Sequence, residues 1–258
     1  MGGITDKKKF THSLDSRHTL MFAHIYDMAT SQDKYSRAVY GDFLSENSTA
    51  LVLERAHLLP SAPVFFGGYD GAERQMIAFV PEYEEAFFPV SAIRIDTPNI
   101  TRLSHRDFLG SVLGLGIKRE KCGDIIINED CAFIFLDNDV ASFVANELTK
   151  IGREGVKTTL IPLSEVTVKE KEFKSITGTV SSLRLDSVVS LFTGKGRSKA
   201  AEAVSGGLVF VNGLCIQKCD AHLVDGDVIS VRGKGKATLK TGGKSKKDRI
   251  FITLDTWV

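Results

Sequence analysis

Residues 183–205 read LRLDSVVSLFTGKGRSKAAEAVS, and this stretch decides how the last third of the chain folds. Its apolar residues recur at the spacing of one helical face, at Leu185, Val188, Val189 and Phe192. The glycines at 194 and 196 predict a turn, after which a second helix begins at Ser198 and ends at Gly206-Gly207. The stretch therefore predicts two short helices joined by a turn that carries Lys195 and Arg197.

Strands are predicted after these helices. Leu208–Val211 and Leu214–Gln217 flank Asn212-Gly213, a pair that favours a type I′ hairpin. Val224–Val231 predicts another turn and strand, and 248–254 a further strand. Between them, residues 232–247 carry 7 Lys and Arg, 4 glycines and no acidic residue. This segment predicts a mobile basic loop suited to sequence-independent contact with phosphates, with a merely solvated loop as the alternative.

Charge is distributed unevenly along the chain. Residues 173–258 hold 14 Lys and Arg against 7 Asp and Glu, a net charge of +7. The other 172 residues hold 19 basic and 25 acidic side chains, a net charge of −6. This asymmetry indicates that the C-terminal third meets a polyanion, and a solubilising basic tail is the alternative.

The middle of the chain alternates between strand and helix patterns. The predicted elements are Phe88–Ile95, Ser104–Leu113, Cys122–Ile127, Cys131–Leu136, Val140–Ile151 and Lys157–Ile161. Their order, β-α-β-β-α-β, is that of ferredoxin-like domains and of RNA-recognition domains. The aromatic-rich signature of sheets that stack RNA bases is not visible, so RNA binding through this sheet stays open.

The N-terminal region reads as mainly helical. Residues 16–59 predict two helices, and Val64–Phe66 with Gln75–Val80 predict a short hairpin. Residues 164–180 predict a charged connector. We therefore expect an α+β protein with a helical N-terminal region (1–80), a ferredoxin-like, RNA-recognition-like middle domain (81–163) and a small α+β RNA-binding domain (181–258).

Several classes of protein are excluded by the sequence. No apolar run approaches the ~18 residues of a membrane span, and the first residues do not form a secretory signal. With 4 cysteines in 258 residues the chain is not a disulfide scaffold, and we expect it in the cytoplasm. Cys215 and Cys219 lack a second ligand pair, and Thr238 stands where a phosphate-binding loop needs glycine. We therefore expect no metal, cofactor, small-molecule substrate or catalytic residue.

The unit from Leu183 to Val231 resembles the small RNA-binding domain named after ribosomal protein S-four. The match lies in 184–186 (RLD), 197–199 (RSK) with 201–203 (AEA), 211–213 (VNG) and 225–229 (DGDVI). The start of the second helix offers N–H groups and a positive dipole end to a phosphate, and Asp186 is expected to orient Arg184 or Arg197. The RNA-binding set is Arg184, Asp186, Lys195, Arg197, Ser198, Lys199, Glu202, Asn212, Lys218, Lys234 and Lys236.

Three stretches in the middle of the chain are distinctive, namely 65–74 (FFGGYDGAER), 103–110 (LSHRDFLG) and 114–124 (GLGIKREKCGD). They resemble the bacterial YlmH family, and with the C-terminal domain the resemblance covers nearly the whole chain. The resemblance implies a monomeric factor that binds ribosomal RNA and tRNA on stalled large subunits and supports C-terminal alanine tailing in ribosome-associated quality control. A secondary basic cluster is predicted at Arg106, Lys118, Arg119 and Lys121, with a solvated helix end as the alternative.

Two other classes of function stay open. Pseudouridine synthases, which often carry such an RNA-binding domain, have their catalytic aspartate in a Gly-Arg-Leu-Asp context. Here Leu183 replaces that glycine, and only 72 residues follow Asp186, too few for a catalytic domain. The second alternative is a scaffold linked to cell division, whose acidic N-terminal two-thirds binds protein and whose RNA affinity is incidental.

Overall fold

A computed structural model describes residues 4–12, 14, 16–168, 173–244 and 248–257. The chain divides into two compact units, residues 1–169 and 170–258. Each unit combines helices with antiparallel sheet, which confirms the predicted α+β class. No helix in the described ranges is both long and apolar enough to cross a membrane.

The first unit begins with a helical layer over a small sheet. Its elements are α1 (Ile4–Phe10), α2 (Ser16–Tyr35), β1 (Val39–Leu44), α3 (Glu46–Glu54), β2 (Val64–Phe66) and β3 (Gln75–Phe79). The strands pair antiparallel in the order β1-β3-β2, and Phe10, Phe22 and Phe79 form the core between layers. The prediction of helix throughout 16–59 is wrong at β1. Its pairing partner β3 lies some thirty residues later, so no local pattern indicated the strand.

A four-stranded sheet with two helices completes this unit. Its elements are β4 (Val90–Asp96), α4 (His105–Gly114), β5 (Cys122–Ile127), β6 (Ala132–Asp137), α5 (Asn138–Glu147), the short pair β7 (Lys150–Ile151) and β8 (Glu154–Gly155), and β9 (Lys157–Ile161). The order β5-β6-β4-β9, antiparallel throughout, confirms the ferredoxin-like prediction. Ser104 and Asp107 form a capping box that fixes the start of α4.

The second unit is a six-stranded sheet carrying a helix pair. Its elements are β10 (Phe173–Val180), α6 (Leu185–Thr193), α7 (Arg197–Ser205), β11 (Val209–Val211), β12 (Leu214–Cys215), β13 (Val228–Val231), β14 (Gly235–Lys244) and β15 (Ile250–Trp257). The strand order is β10-β15-β14-β13-β11-β12. Asn212 and Gly213 have φ of 49° and 79°, as the predicted type I′ turn requires.

Two predictions about this unit are wrong. The connector predicted over 164–180 is shorter, because Phe173–Val180 forms β10 and pairs along its whole length with β15. The basic loop predicted over 232–247 is mostly the strand β14, which lies between β13 and β15 and buries Ala237 and Leu239. Residues 169–172 of the predicted connector and 245–247 of the predicted loop lie outside the described residues.

Candidate nucleic-acid interface

The helix pair of the second unit carries most of the predicted RNA-binding residues. The apolar face of α6 is fully buried against the sheet, and the helix ends at Gly194, whose φ of 68° is a left-handed conformation that favours glycine. α7 begins at Arg197, directly after Gly196, which has no side chain to cap it. The positive end of the α7 dipole therefore lies beside the two basic residues of the turn, Lys195 and Arg197.

Asp186 lies at the centre of this surface and is only 4% exposed. The Nε and Nη2 of Arg184 donate to its two carboxylate oxygens at 3.1 and 3.0 Å. The Nε and Nη2 of Arg197 both donate to Oδ2 at 3.1 Å. The hydrogen bonds from Arg184, joined by those from Arg197, hold the pKa of Asp186 below its usual value. One buried carboxylate thus holds two partly exposed guanidinium groups together.

Other predicted residues surround this pair. Lys195, Ser198 and Lys199 are exposed at the turn and first turn of α7, and Glu202 is exposed one turn later. The Ser190 hydroxyl donates to the Lys195 carbonyl at 2.7 Å and fixes the turn. Exposed Lys218 adjoins the start of α6 as well, because the carbonyl of its neighbour Cys219 accepts from the Asp186 N–H at 3.0 Å.

Lys234 and Lys236 belong to β14 and the turn that precedes it. The Lys234 ammonium lies 5.9 Å from the ring centroid of Phe192, at the opposite end of α6 from Arg184. Lys236 is half-buried on β14, opposite Ser230 of β13. The structure therefore brings together Arg184, Arg197 and the start of α7, whereas Lys234 lies near the last residues of α6 and Lys236 lies on β14.

Asn212 serves the fold of the hairpin. Its side-chain amide donates to Asp227 at 2.8 Å, and its side-chain oxygen accepts from the Val228 N–H at 2.9 Å. The other carboxylate oxygen of Asp227 accepts from the Val224 N–H at 2.8 Å. These bonds link the turn at Asn212-Gly213 to the turn at 224–227.

Two of the four residues predicted for the secondary basic cluster, Arg119 and Lys121, contact acceptors of their own unit. Lys121 pairs with Asp137 at 2.7 Å and with Asp42 at 2.9 Å, and these carboxylates raise its pKa against the effect of burial. The Arg119 guanidinium donates to the carbonyls of Cys122 and Gly123 at 2.9 and 3.2 Å. Both side chains are occupied with acceptors of the first unit that the sequence did not reveal, and only Arg106 and Lys118 of the four are exposed.

A hydrogen-bonded cluster in the first unit, the polar joint, was not predicted from the sequence. It consists of Tyr69, Arg74 and Asp124. Asp124 accepts from the Tyr69 hydroxyl at 2.9 Å and from the backbone N–H groups of Glu73 and Arg74 at 2.7 and 3.1 Å. Arg74 donates to the Cys122 carbonyl at 2.8 Å, and burial, together with the charge of Arg119, lowers its pKa to about 10. The polar joint connects the stretches 65–74 and 114–124, which are apart in the sequence and meet only in the folded chain.

The same joint covers one face of the ferredoxin-like sheet. Phe133 and Phe135 project from the central strand β6 on the face opposite α4 and α5, yet they are 1% and 0% exposed. Phe43 and Met76 pack against them, and the Tyr69 ring stacks on Phe135 at 5.0 Å. Gly68 permits this contact, because a Cβ there would lie 2.3 Å from the Phe135 ring. This face of the sheet therefore has no exposed aromatic ring for a base.

No group of three or more His, Cys, Asp and Glu side chains within the described part of the chain is arranged to hold a metal ion. The four cysteines are all free thiols.

Comparisons with known proteins agree with the architecture. Residues 81–165 match a family model described as "Putative RNA-binding domain in YlmH". The chain is 34% identical to the "Ribosome-associated protein quality control protein P2" of Bacillus subtilis over 229 residues, which cover 87% of this chain and 89% of that protein. The solved structure of the cell division protein ylmH from Streptococcus pneumoniae matches with a TM-score of 0.52 at 20% identity, over 60% of this chain and 96% of that one, and shares the fold of that part. Identity of this extent with the Bacillus subtilis relative, together with the matching middle domain, shows that the chain belongs to the YlmH family.

Proposed function

We propose that the second unit is an RNA-binding domain of the ribosomal-protein-S-four kind and that it binds structured RNA without catalysing a reaction. The observation that carries the proposal is the pair of guanidinium groups held by buried Asp186 beside the start of α7. Two guanidinium groups fixed at one place suit the geometry of successive backbone phosphates. The uncapped helix start and the net charge of +7 over residues 173–258 add attraction that does not depend on sequence.

The RNA we propose is ribosomal RNA and tRNA on a large ribosomal subunit. Support comes from the name of the Bacillus subtilis relative, which places that protein in ribosome-associated quality control. On this proposal the chain acts as a cytoplasmic monomer, needs no cofactor or small-molecule substrate, and assists C-terminal alanine tailing by holding tRNA against ribosomal RNA.

The environment of Asp186 supports binding rather than chemistry. A catalytic aspartate of the pseudouridine synthase kind must reach its substrate with a free carboxylate oxygen. Both oxygens of Asp186 accept hydrogen bonds from guanidinium groups, and the residue is buried at the start of α6. These contacts favour a positioning residue over a nucleophile.

Co-sedimentation with ribosomal subunits over a salt series tests the proposal. We expect the chain to sediment with the large subunit and the double variant Arg184→Ala/Arg197→Ala to lose this binding. Removing one phosphate contact lowers the slope of log affinity against log salt by about 0.7–0.9, so the double variant is expected to lower it by about 1.4–1.8. The double variant Arg37→Ala/Arg153→Ala, with the same change of charge at exposed positions of the first unit, is the control and should bind as the unchanged chain does. Equal sedimentation of the first double variant and the unchanged chain would refute the assignment of the site.

A further inference from the structure

A cleft of about 550 Å³ opens in the second unit beside the arginine pair. Its walls come from the end of β10, from residues 187–191 of α6, from the turn before α7 and from Arg249, which directly precedes β15. The residues that matter for its chemistry are Thr179, Ser187, Leu191, Lys195, Arg197 and Arg249. Three of these are cationic, and no carboxylate occurs among the described residues that line the cleft.

Arg249 reaches the cleft through a pairing that the sequence did not predict. The β10–β15 pairing, with Val180 opposite Ile250 and Thr179 opposite Phe251, places Arg249 beside the end of β10. Its Nε donates to the Thr179 hydroxyl at 3.0 Å and its Nη2 to the Thr179 carbonyl at 2.5 Å. These bonds hold the base of the guanidinium against β10, so a cation stands at the rim although it is far along the chain from Lys195.

Hydrogen bonds also fix the wall that is formed by α6 and the turn before α7. Ser190 holds the turn through the Lys195 carbonyl, and Asp186 holds Arg197. Arg197 therefore belongs both to the proposed phosphate-binding face and to the cleft. Leu191 is the main apolar residue of the lining, because Val180 is almost fully buried, and several hydroxyl groups also line the cleft.

We propose that this cleft binds one unpaired nucleotide of the RNA, with its phosphate between Lys195 and Arg249 and its base against Leu191. The inference rests on the proposed RNA-binding function and adds to it a preference for RNA that has a nucleotide outside the helical stack. The volume is within the range of about 300–1,000 Å³ typical of sites for whole small molecules, larger than a phosphate alone requires. The mixture of cations, hydroxyls and apolar surface matches the phosphate, ribose and base of a nucleotide.

Binding of the full chain to two short RNA hairpins tests the inference. One hairpin carries a single bulged nucleotide, a fluorescent adenine analogue, and the other is fully paired with the same flanking sequence. We expect about tenfold tighter binding of the bulged hairpin, with a change in fluorescence as the analogue enters the cleft. Arg249→Ala and Ser181→Phe, the latter placing a ring at an exposed position of the wall, should both remove the preference while affinity for the paired hairpin stays within about twofold.

The control is Arg232→Ala, because Arg232 carries the same charge in the same unit but packs over the Phe210 ring and does not line the cleft. It should keep the full preference. If the unchanged chain binds both hairpins equally, or if Arg249→Ala and Ser181→Phe keep the preference with unchanged melting temperature, the nucleotide site is refuted while the RNA-binding function stands. Failure of the chain to bind either hairpin or ribosomal RNA would refute the proposed function itself.

Free adenosine monophosphate should not displace the bulged hairpin at micromolar concentration, and displacement would instead assign the cleft to a small-molecule ligand.

Discussion

Asp186 places a negative charge in the middle of a surface that we propose binds a polyanion. We propose that its contribution is positional, because two arginine side chains that each have many rotamers are held in one arrangement by its carboxylate. The contact between Asp186 and the two arginines could be predicted from the sequence, because the three residues lie within fourteen positions of one another. Lys121 and Arg119 were harder to interpret because their partners include Asp42, far away in the chain, and backbone carbonyls that no residue type reveals.

The variant Asp186→Asn distinguishes two effects of Asp186 on RNA affinity, its positioning of the two arginines and its negative charge. It removes a negative charge, so electrostatics alone predicts tighter RNA binding, whereas loss of the fixed arginine pair predicts weaker binding. We expect affinity for ribosomal RNA to fall about threefold to tenfold, and the free energy of unfolding to fall by about 1 kcal/mol because both guanidinium groups stay partly hydrated. Filter binding and denaturant unfolding measure the two effects.

The matched control for this prediction is Asp220→Asn, which removes one negative charge from an exposed position near Arg184. It should leave RNA affinity unchanged or slightly raise it. If Asp186→Asn behaves in the same way as this control, Asp186 has no positioning role.

At the scale of elements, the sequence predicted the turns and helix ends that are determined by neighbouring residues. The type I′ turn follows from the adjacent residues Asn212 and Gly213, and the capping box of α4 spans four residues. The strands β1 and β10 were missed because they pair with segments distant in the chain, about eighty residues away for β10. In β14, lysines and glycines on the outer positions hid the alternation of Ala237 and Leu239 toward the core.

Substitution of Leu239 tests whether residues 235–244 form a strand or a mobile loop. The residue is fully buried in the core of the second unit, so Leu239→Ala should lower the free energy of unfolding by about 2–4 kcal/mol. Its neighbour Thr238, on the other side of β14, is the control, and Thr238→Ala should cost about 0.5 kcal/mol or less. Denaturant unfolding followed by circular dichroism measures both. Small effects of both substitutions would mean that residues 235–244 do not form the strand.

At the scale of the whole molecule, the acidic and the basic parts of the chain correspond to two units that have separate hydrophobic cores. The second unit has its own core and an excess of basic residues, while residues 1–172 carry a net charge of −6. In the first unit, the sheet face that resembles an RNA-recognition surface is covered by the polar joint and by Phe43. The sequence predicted the order of this sheet but not its cover, because the covering residues come from another part of the chain.

This division predicts how two fragments would behave. Fragments 1–168 and 173–258 should each unfold cooperatively, because each keeps its own buried clusters. We expect 173–258 to bind ribosomal RNA with a salt slope close to that of the full chain, and 1–168 to bind at least about tenfold more weakly with a shallow slope, since it lacks both the basic excess and an exposed aromatic sheet. Fluorescence anisotropy at several salt concentrations measures both. Tight binding by 1–168 would require an RNA surface outside the covered sheet, and the exposed residues Arg106 and Lys118 would be the first to substitute.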